Sequence, residues 1–387
     1  MADRADGSGG EPRLQGSRII KRLQGQLARL HTAGTERDRA GNRRLFCDQY
    51  LSLLLLYFFS PSIKSLRGLQ RATNWEKNCQ KLGIQRTSLG SLSEAASVFD
   101  AELVRPIIAE LAAQAMPLKS GREAEALQGL TAVDGSVFAA LPRMAWALWE
   151  DEDHRGVKLH LHFDVLKGVP CEATVTPAAC SEPAELARTL QPGRLYVLDR
   201  GYASYELFAA ILKAGSSLVA RVKDSTAFVP HEERELDDAA RKAGVIRDVV
   251  ISRLGTSHHK NHISQRLRLV IVQVRNREGK MTELWLLTDR LNLPADLVAL
   301  AYCFRWTVEL FFRWLKSVLG ARHLISHKRN GVTMQMYAAI IVSLLIILAT
   351  NAKPSVCAYE ALQFYLLGRS TDEELDAYLA SLQKKKN

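Results

Sequence analysis

The chain has 387 residues, of which 47% are hydrophobic, so it is too long for one small module and too apolar for a chain without a core. It carries 52 lysines and arginines against 41 acidic residues, a formal net charge of +11. This excess favours a polyanionic partner, nucleic acid before membrane, although a basic surface without a partner would give the same count.

The positive charge is clustered in residues 17–44 and 241–280, which strengthens the nucleic-acid interpretation. Residues 1–16 are polar and rich in glycine, a composition typical of disorder, and contain no apolar signal segment. The six cysteines form no C-x-x-C pair. A reduced, cytoplasmic location is therefore expected.

Residues 17–120 are predicted to form a helical N-terminal region that binds DNA, although no specific DNA-binding motif is recognisable there. The clearest helical text is "SLSEAASVFDAELVRPIIAELAAQAM". It begins with a capping signal and repeats apolar residues at spacings of three and four.

After Gly129 the pattern changes to alternating strands. "LTAVDGSVFAAL" and "VKLHLHFDVLKGVPCEATVTP" predict three strands, the last two joined by a turn at Lys167-Gly168. A helix (181–190), a short buried strand (193–202), a second helix (204–215) and a further strand (216–223) are predicted to follow.

The remaining elements are a β insertion and a helical end. Residues 245–254, 265–274 and 282–289 predict antiparallel strands. Residues 292–320 predict one long helix, begun by Pro294 and ended by Gly320. The apolar run 337–350 is shorter than the roughly 20 residues of a membrane span, so a buried core helix is expected.

Two aspartates occupy related places in this order of elements. Three meandering strands followed by a crossover to a strand beside the first is the order of a ribonuclease-H-like domain. In such a sheet Asp134, in the first strand, and Asp199, at the end of the fourth, lie on neighbouring parallel strands. Two close carboxylates repel each other unless a cation lies between them, and Mg²⁺ favours such oxygen ligands.

Four polar residues share one face of the predicted long helix, which is otherwise apolar: Tyr302, Arg305, Glu309 and Lys316. A half-buried glutamate needs a partner. Taken alone, Glu309 is explained as well by an ion pair with Arg305 or Arg313 as by a catalytic role.

These residues resemble the Y-x2-R-x3-E-x6-K signature of the insertion-sequence-4 family of DDE transposases. "TAVDGSVF" and "VLDRGYASYELF" resemble the first and second aspartate motifs of that family. The resemblance covers about residues 130–350. It implies an α/β fold, in which a ribonuclease-H-like catalytic domain (121–223 and 290–350) is interrupted by a mostly antiparallel β insertion (224–289). A C-terminal helical tail (351–387) would follow.

The resemblance also implies a site and its cofactor. Asp134, Asp199 and Glu309 would be catalytic and would hold two Mg²⁺ ions, with Mn²⁺ as a substitute. One ion would activate water or a 3′-hydroxyl and the other would stabilise the leaving oxygen. Lys316 and Arg305 would bind phosphates of the transposon end, and Tyr302 would contact the backbone there.

Other candidates come with open alternatives. Arg200 contacts DNA phosphate or pairs with an acid. Trp285 stacks on an extruded base, as a tryptophan does in related transposases, or packs in its strand. Asp164 is expected to be structural.

Two further clusters are expected to lie at the surface. The acidic run Asp151, Glu152 and Asp153 is expected to be a solvated turn. The cluster His258, His259 and His262 is expected to be a DNA-facing loop rather than a metal site.

The predicted function is Mg²⁺-dependent cleavage and strand transfer at the terminal inverted repeats of an insertion sequence. The expected partners are double-stranded DNA and a second copy in a synaptic complex, in a bacterial-type cytoplasm, with the DNA-bound protein on the nucleoid. The alternatives are a nuclease on the same fold, an inactive transposase-derived DNA-binding protein, and a membrane protein built around 337–350.

Overall fold

The structure, a computed structural model, describes residues 22–33, 44–141, 143–147, 155–256, 263, 265–276 and 278–384. The chain forms two compact units. The first comprises residues 1–115, 140–146 and 314–387, and the second comprises 116–139 and 147–313. The acidic run at 151–153, the histidine cluster at 258–262 and much of the basic stretch 17–44 lie outside the described residues.

The helices within the described residues are α1 (Gln24–Thr32), α2 (Cys47–Phe59), α3 (Leu66–Ala72), α4 (Glu76–Leu82), α5 (Leu89–Val98), α6 (Arg105–Gln114), α7 (Arg122–Ala126), α8 (Glu182–Arg188), α9 (Tyr205–Lys213), α10 (Asp238–Lys242), α11 (Ala295–Phe304), α12 (Trp306–Ser317), α13 (Arg329–Thr350), α14 (Val356–Leu366) and α15 (Asp372–Lys384). The strands are β1 (Leu130–Ala139), β2 (Gly156–Asp164), β3 (Val169–Pro177), β4 (Leu195–Leu198), β5 (Ser217–Val222), β6 (Phe228–Glu233), β7 (Val245–Leu254), β8 (Leu267–Arg275) and β9 (Met281–Thr288).

The first unit is built around α13. This helix is apolar on all sides and packs against α2, α5 and α6. With 22 residues it is longer than the predicted run 337–350, and it is the one described helix long and apolar enough to cross a membrane. However, 89% of its most apolar window is buried inside the protein. The expected core helix is therefore confirmed by its burial, whereas the argument from its length was wrong.

Polar side chains at the start of α13 bind backbone groups of the first unit. Asn330 accepts a hydrogen bond from the backbone N–H of Ala101 (2.8 Å) and donates to the carbonyl of Ala96 (3.0 Å). Gln335, fully buried, accepts from the N–H of Ile325 (3.0 Å) and donates to the carbonyl of His323 (2.6 Å). These bonds satisfy loop groups that would otherwise be buried without partners.

The helical text at residues 91–116 forms two helices rather than the continuous pattern that the spacing predicted. α5 begins earlier than expected, after Ser88, whose side chain accepts from the N–H of Ser91. The chain then leaves the helix at Phe99, and Asp100 caps a short 3-10 turn at Ala101–Leu103. Asp100 bonds the local backbone, which favours a helix start over a helix interior.

The second unit contains one nine-stranded sheet in the order β3-β2-β1-β4-β5-β9-β8-β7-β6. β1, β2 and β3 form an antiparallel meander, and β4 lies parallel to β1 on its other side. This is the predicted crossover. β9 then pairs antiparallel with β5, so the inserted strands extend the same sheet.

Both faces of this sheet are covered. On one face α8 and α9 bury a cluster of large side chains that includes Tyr196, Leu198 and Phe208. On the other face α11 contacts β4, β5 and the inserted strands β7, β8 and β9. Burial on both faces explains why β4 has four buried residues in a row, which is typical of a parallel strand.

The edge strand β6 and the short helix α10 were missed by the sequence reading. β6 contains Pro230, is mostly exposed and pairs with β7 through irregular register. Proline and charge are typical of edge strands, where they discourage pairing with other chains, and they remove the apolar alternation on which strand prediction depends.

A buried ion pair joins the inserted strands to the start of α11. Arg268 on β8 donates to both carboxylate oxygens of Asp248 on β7, at 2.7 and 2.6 Å, and both side chains are buried. Arg268 also donates to the carbonyls of Leu291 and Leu293, which lie just before Pro294. The insertion therefore fixes the position at which α11 begins.

The predicted single helix over 292–320 is interrupted at Arg305. The N–H of Arg305 bonds the carbonyl of Tyr302 (3.1 Å) and the N–H of Val308 bonds the carbonyl of Arg305 (3.3 Å). The Thr307 hydroxyl takes the carbonyl of Phe304 (2.7 Å). A threonine side chain that competes for a helix carbonyl produces such a local tightening, which gives no proline or glycine signal in the sequence.

Candidate functional site

The two aspartates fall at the same level of neighbouring parallel strands. β1 pairs with β4 in a register that matches Leu130 with Leu195 and Ala132 with Val197. Continued by two residues, the same register places Asp134 opposite Asp199. Side chains two residues apart on a strand share a face, so both carboxylates lie on one side of the sheet. The predicted juxtaposition of the strands is confirmed.

Asp134 has a strongly perturbed acidity. Burial raises the pKa of Asp134 to about 7, and the negative charges of Asp199 and Glu182 add to the increase. The charge of Arg305 and the N–H of Gly135, which bonds the carboxylate at 2.9 Å, act in the opposite direction. A site that resists the charge of its own carboxylate is one that a cation would stabilise.

Asp199 is held by the turn that follows β4. Its side chain accepts a hydrogen bond from the N–H of Gly201 at 2.8 Å and caps the 3-10 turn Arg200–Tyr202. A side chain at position 201 would crowd that carboxylate, because a Cβ there would lie 3.1 Å from the Asp199 oxygen. The glycine therefore lets the backbone approach and orient the acid.

Glu309 is paired with Arg305 in this structure. The Arg305 guanidinium donates to the carboxylate at 2.5 Å, and the side chains are 13% and 32% exposed. Burial opposes the charge of Arg305, but the bond to Glu309 and the charge of Asp134 hold its pKa above the usual range. The ion pair with Arg305, one of the alternatives for Glu309 in the sequence, is therefore present.

Arg305 thus connects the third acid to the first. Its charge acts on Asp134 while its guanidinium bonds Glu309. The helix that carries Glu309 also packs on the sheet, because Phe311 contacts Phe163 of β2 with ring centroids 5.4 Å apart. Within the described part of the chain, no three His, Cys, Asp or Glu side chains lie close enough together to share one metal ion.

Glu182 is an acid near this site that the sequence reading did not select. It is the first residue of α8 and forms an ion pair with Lys158 of β2 at 3.2 Å. Its carboxylate packs against Gly135, where a Cβ would lie only 2.7 Å from the Glu182 oxygen. The residue after Asp134 must therefore be a glycine for this acid to fit.

Tyr202 is a second residue that was missed. It ends the turn that Asp199 caps and is 1% exposed, and no described residue forms a hydrogen bond with its hydroxyl oxygen. In the sequence it is only the tyrosine of "DRGY", and its burial near the acids has no signal in the residue pattern.

The remaining candidates lie in different surroundings. Tyr302 stacks near Arg305, whose guanidinium carbon is 5.8 Å from the ring centroid. Arg200 is exposed beside Asp199, and Lys316 lies near the end of α12. Asp164 accepts from the N–H of Lys167 in the turn between β2 and β3, as expected of a structural residue.

Trp285 is half-buried on β9 and packs edge-on against Phe228, with centroids 5.9 Å apart. Its indole N–H donates to Glu283 at 3.0 Å. The packing alternative for Trp285 is therefore present in this structure.

Residues 125–345 match the family model described as "Transposase DDE domain". The match covers both aspartates, Glu309 and more than half of the chain. The chain belongs to the transposase DDE domain family.

Two curated bacterial proteins are similar to part of this chain. A candidate transposase, y4zB of Sinorhizobium fredii, is 29% identical over 199 residues, which are 51% of this chain and 54% of that protein. A candidate transposase for the insertion sequence element IS5377 of Geobacillus stearothermophilus is 26% identical over 204 residues, 53% of this chain and 52% of that protein. The chain spans about half the length of these relatives.

Among solved structures, the piggyBac transposase synaptic complex with hairpin DNA is similar with a TM-score of 0.41 and 10% sequence identity. The similarity covers 92% of this chain and 82% of that chain.

The residues of the site fit a divalent metal in their donor chemistry. Asp134, Asp199 and Glu309 offer only carboxylate oxygens, which are the ligands that Mg²⁺ and Mn²⁺ take in proteins. The raised pKa of Asp134 and the guanidinium of Arg305 beside it both show that this pocket calls for positive charge. DDE transposase domains generally use divalent metal ions.

Proposed function

We propose that this protein is a DNA transposase that cuts the ends of its own mobile element and joins them to a new site, in a reaction that depends on Mg²⁺. The observation that carries the proposal is the pair of aspartates, Asp134 and Asp199, in matched register on adjacent parallel strands of a transposase DDE domain. The strand order supports a ribonuclease-H-like catalytic core, and the Y-R-E-K residues support a place in the insertion-sequence-4 family.

Asp134, Asp199 and Glu309 would hold two Mg²⁺ ions, or Mn²⁺ in their place. These ions would supply the positive charge that phosphoryl transfer requires at the attacking and leaving oxygens. In the metal-free protein that charge comes in part from Arg305, which bonds Glu309 and acts on Asp134. Glu309 becomes a ligand when Arg305 gives up this bond.

The same residues suggest how DNA takes part. Arg305 and Tyr302 are adjacent at the break between α11 and α12, and a guanidinium released from Glu309 suits a phosphate oxygen. Lys316 and the exposed Arg200 would contact further phosphates, which fixes register without reading sequence. Trp285 would contact an extruded base only after leaving its packing against Phe228.

The proposed partners are double-stranded DNA, both transposon end and target, and a second copy of the chain in a synaptic complex. The basic stretch 241–280 and the helical N-terminal region would supply DNA contacts. A location in a bacterial-type cytoplasm, on the nucleoid when DNA is bound, fits these partners.

The first prediction tests the third acid. Glu309→Gln keeps the size of the side chain and its acceptor for Arg305 but removes one negative charge. We expect the variant to bind transposon-end DNA normally and to lose cleavage in Mg²⁺ by at least about a hundredfold, an order of magnitude typical of losing an electrostatic group at a reacting centre. The products are sized on a denaturing gel.

Asp238→Asn is the control, since Asp238 is 90% exposed on α10 and lies outside the proposed site. Retained cleavage by Glu309→Gln would remove Glu309 from the reaction. Cleaved ends without joined product in the unaltered protein would favour the nuclease alternative, and DNA binding without any cleavage would favour the inactive DNA-binding protein.

A further inference from the structure

The hydroxyl of Tyr202 is a buried polar group without a partner. The side chain is 1% exposed, and among the described residues none lies within hydrogen-bonding distance and geometry of its oxygen. Buried polar groups in native proteins are almost always hydrogen-bonded, so each exception needs a physical reason.

The position of this hydroxyl is informative. The backbone N–H of Tyr202 bonds the carbonyl of Asp199 at 3.2 Å, and its ring packs in the cluster that contains Val133 and Leu198. These two residues immediately precede Asp134 and Asp199. The ring therefore packs directly behind the strand ends that carry both acids.

Three negative charges surround the hydroxyl. Burial raises the pKa of Tyr202 well above its usual range, followed by the charges of Glu182, Asp134 and Asp199, in that order of effect. A phenol is protonated near neutral pH in any case, so it is available as a donor. The acceptors that suit it are the carboxylates nearby.

A second buried tyrosine in the same cluster shows that the packing does not prevent hydrogen bonding. Tyr196 is also fully buried, and its hydroxyl accepts from the N–H of Gln191 (2.8 Å) and donates to the carbonyl of that residue (3.4 Å). The same cluster thus satisfies one phenol and leaves the other unbonded beside the acids.

We propose that the Tyr202 hydroxyl is a positioning donor for the acidic pair, which bonds a carboxylate oxygen of Asp134 or Asp199 when these residues turn to hold a divalent cation. The proposal rests on the proposed function. The hydroxyl would fix the orientation of the carboxylate, as groups behind metal ligands commonly do. It would touch neither DNA nor metal.

The test measures Mn²⁺ affinity and thermal stability of the full chain without DNA. Free Mn²⁺ is followed by its electron paramagnetic resonance signal. We expect Tyr202→Phe to weaken Mn²⁺ binding about tenfold, the lower end of the usual effect of such groups. Its midpoint of thermal unfolding should equal or exceed that of the unaltered protein, because the hydroxyl has no partner to lose in the metal-free fold.

Tyr196→Phe is the matched control and should show the reverse pattern: a lower unfolding midpoint and unchanged Mn²⁺ affinity. Asp134→Asn separates the two proposals. If Asp134→Asn weakens Mn²⁺ binding and Tyr202→Phe does not, the role of Tyr202 is refuted and the metal site stands. If Asp134→Asn has no effect either, both proposals are refuted.

A lower unfolding midpoint in Tyr202→Phe, similar to that in Tyr196→Phe, would also overturn the inference. The hydroxyl would then have a partner in the metal-free protein and a purely structural role.

Discussion

At the residue scale, individual polar groups in the second unit are separated into those that the fold satisfies and those that it leaves under tension. Asp199 and Tyr196 have their bonds in the metal-free protein, whereas Asp134 and Tyr202 do not. The unsatisfied groups gather at the carboxyl ends of β1 and β4. Such clustering is typical of sites built to receive something.

His160 gives a prediction about pH at this scale. Burial, followed by the charge of Lys158, lowers the pKa of His160 from 6.5 to about 4. Between these values the unfolded chain takes up a proton that the folded chain refuses, so stability falls as the pH falls from 6.5 towards 4. At pH 5 this residue alone should cost about 2 kcal/mol of unfolding free energy.

The measurement is urea unfolding at pH 7.5 and pH 5. His160→Gln keeps a polar group near the Thr176 hydroxyl, to which His160 bonds at 2.8 Å. The variant should lose less stability on acidification than the unaltered protein, by about 2 kcal/mol. His231→Gln, which removes an exposed histidine, is the control. Equal acid losses with and without His160 would contradict the prediction.

At the element scale, the inserted strands hold the start of the helix pair that carries Tyr302, Arg305 and Glu309. The contact is the buried pair Arg268–Asp248 together with the carbonyls of Leu291 and Leu293. The insertion is thus a structural support of the candidate site as well as a basic surface.

Arg268→Met tests this support. It leaves Asp248 buried without its partner and removes the donor for two carbonyls, so we expect a loss of about 3–5 kcal/mol in unfolding free energy. The double variant Arg268→Met/Asp248→Asn should recover part of that loss, because the unpaired charge is gone. Both values come from urea unfolding.

The surface pair on the same strands provides the comparison. Arg247 bonds Glu233 at 2.5 Å, but the side chains are 40% and 56% exposed. Glu233→Gln should therefore cost no more than about 1 kcal/mol. Equal costs for the two pairs would show that the buried pair does not support the helix start.

The sequence predicted the strands and the crossover of this unit because their apolar patterns are local. It could not predict the break at Arg305, which depends on one threonine hydroxyl, or β6, whose exposed and proline-containing text resembles a loop. In the site, acids with a recognisable spacing were found, and their strands lie as expected. Glu182 and Tyr202 were missed because only folding brings them to Asp134.

At the scale of the whole molecule, the net charge of +11 overstates the charge available to DNA. In the basic stretch 241–280, Arg268 and Arg247 are engaged by Asp248 and Glu233. Arg266 and Arg275 are exposed at the two ends of β8 and are better placed for phosphate.

The corresponding prediction concerns salt. Arg266→Ala/Arg275→Ala should weaken binding to non-specific duplex DNA and reduce the slope of log affinity against log salt by about 1–2, one charge contact for each arginine. Arg247→Ala should leave the slope unchanged. The slopes are measured by fluorescence anisotropy with labelled DNA, and an unaltered slope in the double variant would place the DNA surface elsewhere.

The order in which the chain is made has a consequence for the first unit. α2, α5 and α6 leave the ribosome early, but α13, the helix on which they pack, is translated only after the whole nine-stranded sheet. Until then their apolar faces have no native cover, whereas every strand of the sheet is already available to pair. Nascent chains truncated before residue 329 should thus expose sticky helices next to a sheet with all its strands, a state that chaperones recognise and that favours aggregation when synthesis stalls.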